Sequence, residues 1–100
     1  MPDPRIFPIT HSNDTFATVG AVSTLILAAN SNRVDCEIVN DGEEVCYLAR
    51  GNPAVMGSGI RLNAMGGSYR IGTNNLWYGE IYAICAGGDL NLTISEGYLA

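Results

Sequence analysis

The sequence predicts an all-β protein, an antiparallel β-sandwich or small jelly-roll-like barrel of seven to eight short strands. Three observations lead to this fold class. Short apolar stretches rich in β-branched and aromatic residues alternate with turns rich in Gly, Asn and Asp. No window repeats apolar residues at the spacing of an amphipathic helix. The 12 glycines lie mostly between the apolar stretches, which is typical of a chain with many tight turns.

The first fifteen residues predict an extended arm in front of a single β-domain of residues 16–100. Three of the four prolines lie in the arm, and proline fixes φ and has no N–H to donate. The arm also carries the side chains of a predicted interface with a neighbouring subunit or a shell protein: Arg5, Ile6, Phe7 and Ile9. The alternative is an arm that folds back on its own domain.

The clearest strand pattern lies between Val34 and Arg50 and predicts a β-hairpin. Val34, Cys36 and Ile38 alternate with charged residues, so they face one side of a sheet. The Asn-Asp-Gly sequence at 40–42 supplies residues that tolerate the positive φ of tight hairpin turns. The return strand at 45–49 is apolar on both faces, which indicates that a neighbouring element or a partner covers part of its second face.

The other apolar stretches predict the remaining strands, each bounded by turn residues. In chain order these strands are Phe16–Val19, Val22–Ala28, Ile60–Leu62, Ser68–Ile71, Leu76–Ala86 and Asp89–Ser95. The longest of them, Leu76–Ala86, is also the richest in aromatic residues.

The charge composition argues against several classes of partner. The net charge is −5, with five scattered arginines and no lysine. No basic patch can form, so we expect neither nucleic-acid binding nor binding to an anionic membrane. Only 15% of residues are charged, well below the ~25% of soluble domains. Either another molecule covers part of the surface, or the surface is built from Ser, Thr and Asn.

The sequence contains no pattern that predicts catalysis or a cofactor. His11 is the only histidine and lies in the Pro-rich arm, and Ser58, between two glycines, is predicted to be a turn residue. The acidic pairs Asp35/Glu37 and Glu43/Glu44 are predicted to be solvated, with Ca²⁺ binding as the alternative. We therefore expect no enzyme, no metal and no cofactor.

The cysteines and aromatic residues have structural interpretations. Cys36, Cys46 and Cys85 lie in apolar patterns and predict buried reduced thiols, with a Cys36–Cys46 bridge across the hairpin as the alternative. Trp77 is expected in the core. Tyr78 and Tyr82 are expected to share the opposite face, as an interface or a glycan-binding surface.

Four segments of the chain resemble small structural proteins of tailed bacteriophages. These segments are Ser23–Arg33, Ile38–Ala49, Gly59–Ile71 and Leu92–Gly97. The family comprises head decoration (cement) proteins and head- or tail-attached fibre components. The resemblance covers turns and strands from Thr18 to Gly97 and implies an oligomeric β-domain of the virion without catalytic residues.

Together these observations predict a capsid decoration protein that binds and stabilises the outer head surface. We expect a homo-oligomer, with a trimer favoured, bound to the major capsid protein or another virion protein. The chain lacks a signal-peptide pattern after Met1, so we expect synthesis in the host bacterial cytoplasm and a final location in the virion. The alternative is a fibre module that binds carbohydrate or the host surface.

Overall fold

The structure is a computed structural model that describes residues 10–72 and 74–99. Its eight strands are β1 (His11–Val19), β2 (Thr24–Leu27), β3 (Arg33–Asn40), β4 (Cys46–Arg50), β5 (Ile60–Leu62), β6 (Ser68–Ile71), β7 (Ile81–Cys85) and β8 (Leu90–Tyr98). The described residues contain no helix, and so no helix among them that could cross a membrane. The predicted all-β class is confirmed.

The strands form two antiparallel four-stranded sheets. Sheet A has the order β1-β8-β3-β6, and sheet B has the order β2-β7-β4-β5. Every connection except β4–β5 carries the chain from one sheet to the other. One interior strand of each sheet, β8 in sheet A and β7 in sheet B, comes late in the sequence.

The alternating apolar residues of both sheets point into one shared core. Its fully or nearly fully buried side chains include Val19, Leu27, Cys36, Ile38, Cys46, Leu48, Leu62, Ile71, Ile81, Ala83, Cys85, Leu90, Leu92 and Ile94. All three cysteines are free and buried, as their apolar strand patterns predict. Burial raises the pKa of the Cys36 thiol to about 12 and that of the Cys46 thiol to about 11.

The predicted hairpin between Val34 and Arg50 is wrong. Strand β3 pairs with β8 and β6 in sheet A, whereas β4 pairs with β7 and β5 in sheet B. The segment after Asn40 is a corner between the sheets, and Gly42 does not adopt the positive φ that the hairpin turn requires. Period-two alternation identifies a strand but does not say which sheet it joins.

Several strand boundaries differ from the predicted ones, most of all those of β1 and β7, while β2 is shorter at both ends and β8 continues to Tyr98. Strand β1 begins at His11, five residues before the expected start, so residues 11–15 pair with β8. Strand β7 covers only Ile81–Cys85 of the long predicted strand. The carbonyls of Trp77 and Gly79 accept hydrogen bonds from the Arg33 guanidinium, and the backbone before Ile81 is therefore held as a loop.

The predicted arm interface of Arg5, Ile6, Phe7 and Ile9 lies outside the described residues. It stays a prediction.

Candidate binding surfaces

The outer face of sheet B is mostly apolar. Cys46 and Leu48 of β4 point into the core, so the residues that alternate with them point outward, and the same holds for β7. One cross-strand row on this face is Leu25, Tyr82 and Ala49, and the next is Ile84, Tyr47 and Arg61. Five of these six side chains are apolar or aromatic.

A loop at residues 51–59 crosses this face, on which Ile84 is buried and Tyr47, Ala49 and Tyr82 are only partly exposed. The Gly51 amide donates to the Glu80 carbonyl at 2.8 Å, and the Ala54 amide donates to Ser23 Oγ at 2.8 Å. Because β4 and β2 lie on opposite sides of β7, these bonds require the loop to pass across sheet B. Four exposed apolar side chains then lie along the β2 side of the sheet, and we call them the apolar ridge: Val22, Leu25, Val55 and Met56.

The outer face of sheet A is polar. One cross-strand row is Asp14, Ser95, Glu37 and Arg70, and the next is Phe16, Thr93, Val39 and Ser68. Ser95 Oγ donates to Asp14 Oδ1 at 2.6 Å, which holds this carboxylate toward β8. Phe16 is the one exposed aromatic side chain in these rows and has 70% of its surface accessible.

The two tyrosines of the predicted interface lie on different elements. Tyr82 is on β7, half-buried, and its hydroxyl donates to Glu80 Oε1 at 3.2 Å. The nearby Glu80 carboxylate raises the pKa of Tyr82. Tyr78 lies in the loop before β7 and is 48% exposed. The expectation that one strand face presents both rings is wrong, because that strand begins only at Ile81.

Trp77 packs against the core, as expected, but through a loop position rather than a strand position. Its Nε1 donates to the Glu80 carbonyl at 3.0 Å. A Cβ added at Gly79 would lie 2.6 Å from the indole, and one added at Gly51 would lie 3.2 Å from it. The glycines let the backbone close over the ring, so Trp77 is a packing residue and not an open stacking platform.

A buried ion pair closes one end of the sandwich. Arg33 Nε donates to Glu96 Oε2 at 2.6 Å, and Arg33 is only 1% exposed. Its remaining donors bond the carbonyls of Ala28, Trp77 and Gly79. One guanidinium thus fixes both the β2–β3 connection and the loop before β7. This pair was not predicted, although Glu96 continues the inward alternation of Leu90, Leu92 and Ile94.

The acidic residues do not form a metal site in the described part of the chain. Asp41, Glu43, Glu44 and Asp89 line an open cleft of about 510 Å³ between two turns. No group of three or more His, Cys, Asp or Glu among residues 10–72 and 74–99 is placed to hold a metal ion.

His11 and Ser58 have structural partners. His11 stacks on Tyr98, with ring centroids 5.4 Å apart. Ser58 is exposed, and its amide donates to the Val55 carbonyl at 3.1 Å, as the predicted turn requires.

No protein-family model matches the chain, and no curated protein or solved structure is significantly similar to it. The resemblance to phage structural proteins therefore stays a prediction.

Proposed function

We propose that the protein is a non-enzymatic structural component of a tailed-phage virion that decorates the outer surface of the head. The observation that carries this proposal is the contrast between the outer faces of the two sheets. The exposed apolar side chains of Val22, Leu25, Val55 and Met56 are all on the side of sheet B, and clusters of this kind are typical of a surface that another molecule covers. The polar face of sheet A then faces solvent.

The strand order supports the same proposal. Two four-stranded sheets with strands in the order β1-β8-β3-β6 and β2-β7-β4-β5 correspond to a jelly roll. Jelly rolls occur in viral capsid proteins and in lectins. Fold alone does not determine function, so the proposal depends on the surfaces of the two sheets.

In the proposed assembly, the apolar ridge and the outer face of sheet B contact neighbouring chains or the major capsid protein. Burial of a side chain such as Leu25 or Met56 contributes ~1.5–3 kcal/mol, before the cost of ordering the partners. The arm, with Ile6 and Phe7, would add contacts to a neighbouring subunit or the shell. The copy number expected from the resemblance is three, and the protein would be made in the bacterial cytoplasm and end in the virion.

The direct test is binding of the purified chain to phage heads that lack it. The Leu25→Asp/Met56→Asp variant places two charges on the apolar ridge, so we expect its binding to fall at least tenfold. The control Ser68→Asp/Asn63→Asp adds the same charges at exposed positions and should bind like wild type. Equal binding by both variants, or absence of the protein from purified virions by mass spectrometry, rejects the proposal.

The alternative function is a fibre module that binds carbohydrate or the host surface. Tyr78 favours it, because this exposed aromatic ring lies in the same loop as the acidic Glu80. A glycan array compared between wild type, Tyr78→Ala and Tyr82→Ala tests this function. A glycan bound by wild type and lost in Tyr78→Ala supports it, and no binding at millimolar glycan eliminates it.

A further inference from the structure

We propose that strand β1 pairs edge to edge with β1 of a second copy of this chain. The pairing is antiparallel about a two-fold axis at Phe16. It would join two copies of sheet A into one continuous eight-stranded sheet. This inference concerns a surface that the proposed function does not use, and it stands whether or not the protein belongs to a virion.

The edge of β1 is the longest sheet edge in the described part of the molecule. Strand β1 has nine residues in unbroken register with β8, and its other edge pairs with no described strand. The other three edge strands are short, with four residues in β6, four in β2 and three in β5. The register of β2 is also interrupted between Leu25 and Leu27.

Strand β1 lacks the features that keep a sheet edge from pairing. Edges are protected by charged side chains, especially lysine, by proline, by bulges or by the shortness of the strand. Residues 11–19 contain no proline, no lysine and no arginine. Their one carboxylate, Asp14, is held toward β8 by Ser95, and His11 is likewise stacked on Tyr98 of β8. Unpaired backbone N–H and C=O groups along such an edge fit another extended strand.

A second strand also has room to approach. Every residue from His11 to Phe16 is exposed, so neither face of this part of β1 is covered. The side chains of an added strand would therefore lie beside exposed side chains of β1 on both faces of the sheet, and no packed element would block them.

The side chains of β1 favour a second β1 in one register. A two-fold axis through Phe16 places the two Phe16 rings in a cross-strand pair and places Asp14 opposite Thr18. Aromatic cross-strand pairs are stabilising, whereas like charges directly opposite are destabilising. An axis at Asp14 would oppose two carboxylates and leave both Phe16 rings outside the central pair. The axis at Phe16 avoids the repulsion and partly buries the ring that is the most exposed aromatic side chain among the described residues.

The test is a symmetric cross-link through Phe16→Cys. Directly opposite residues lie within the Cα separation of a disulfide, so mild oxidation of the full chain should give a covalent dimer in most molecules. The three native cysteines are buried and free, and wild type provides their background. The matched control is Thr93→Cys, on the same face but one strand inward. Two such residues would be about 14 Å apart across the joined sheet and should not cross-link.

The solution mass separates this interface from the arm and from the predicted trimer. Wild type should have the mass of two chains or another even number, and Phe16→Lys should weaken the pair at least tenfold. A chain without residues 1–9 should still pair. Three outcomes overturn the proposal: a three-chain mass that Phe16→Lys leaves unchanged, a monomer after removal of residues 1–9, or no Phe16→Cys cross-link. None of these results affects head binding through the apolar ridge, so the two proposals fail separately.

Discussion

Both ends of β3 connect sheet A to sheet B through a buried polar side chain, but the two side chains differ in charge. The strand begins at Arg33 and ends at Asn40, and both side chains are buried polar groups that bond carbonyls belonging to sheet B or its connections. Arg33 bonds the carbonyls of Ala28, Trp77 and Gly79. Asn40 donates to the Glu44 carbonyl at 2.7 Å and the Leu62 carbonyl at 3.2 Å, and its Oδ1 accepts from the Gly42 amide.

The difference between the two ends is charge. Arg33 must hold two separate loops, and its forked guanidinium has enough donors to do so, but its charge then requires the buried partner Glu96. Asn40 holds one corner, for which two donors and one acceptor suffice without a counterion. The charged guanidinium bonds more groups than the neutral amide. Removing either member of its ion pair therefore costs more free energy of unfolding, because the other charge stays buried without a partner. This contrast predicts an order of sensitivity.

The largest effect is expected for Arg33→Met. The substitution leaves Glu96 buried without its partner and three carbonyls without their donor, so the free energy of unfolding should fall by about 3–5 kcal/mol. Urea unfolding followed by tryptophan fluorescence measures the change. Arg70→Met is the matched control, because Arg70 is exposed and its ion pair with Asp35 is long, at 3.7 Å. Its loss in the free energy of unfolding should be below about 1 kcal/mol. Similar losses for the two variants would contradict the assigned role of Arg33.

A second variant tests whether charge or geometry matters at this end. Arg33→Lys keeps the positive charge, but a single ammonium cannot reach the carboxylate and three carbonyls together. We expect it to recover less than half of the stability lost in Arg33→Met. Full recovery in urea unfolding would show that the charge alone is sufficient and that the fork geometry is unimportant.

The neutral end should be less sensitive. Asn40→Ala removes the donors to Glu44 and Leu62, and the expected loss is about 1–3 kcal/mol, since buried carbonyls are left unsatisfied. Asn63→Ala, at an exposed position in the adjoining loop, should change the free energy of unfolding by less than about 0.5 kcal/mol. The comparison between the ends fails if Asn40→Ala costs more than Arg33→Met.

The smallest effect on the free energy of unfolding at neutral pH is expected from ionisation of the Cys36 thiol, three residues after Arg33. Burial, opposed by Arg33 and reinforced by Glu96, raises the pKa of Cys36 from 9.0 to about 12. The unfolded chain therefore loses this proton first. The thiol's contribution to stability is complete below pH 9 and decreases as pH rises toward 12, with a limiting slope of about 1.4 kcal/mol per pH unit.

Cys36→Ala isolates that contribution. The variant carries a constant packing cost, but its free energy of unfolding should decline less steeply than that of wild type between pH 9 and pH 11. Equal slopes for the two proteins, measured by urea unfolding at each pH, would mean that Cys36 ionises as readily in the folded chain as in the unfolded one.

The sequence indicated the fold class and most strand positions, because alternation and turn residues are local signals. It did not indicate which sheet each strand joins, and the predicted hairpin at Asn40 failed for that reason. Arg33 and Glu96 were also missed: the alternation along β8 places Glu96 inward, but no local signal identifies its partner Arg33, which is 63 residues away. Similarly, the loop before Ile81 depends on Arg33, which lies more than forty residues away.

The late position of β7 and β8 in the chain has a consequence for synthesis. Strand β8 lies between β1 and β3, and β7 lies between β2 and β4. Neither sheet can be completed until residues 81–98 have left the ribosome, so the earlier strands must wait with unpaired edges. Folding of this domain is therefore expected to be completed only after these residues have emerged, and to be slow because its pairings are distant in sequence. During that interval the nascent chain is most exposed to aggregation and to chaperone binding.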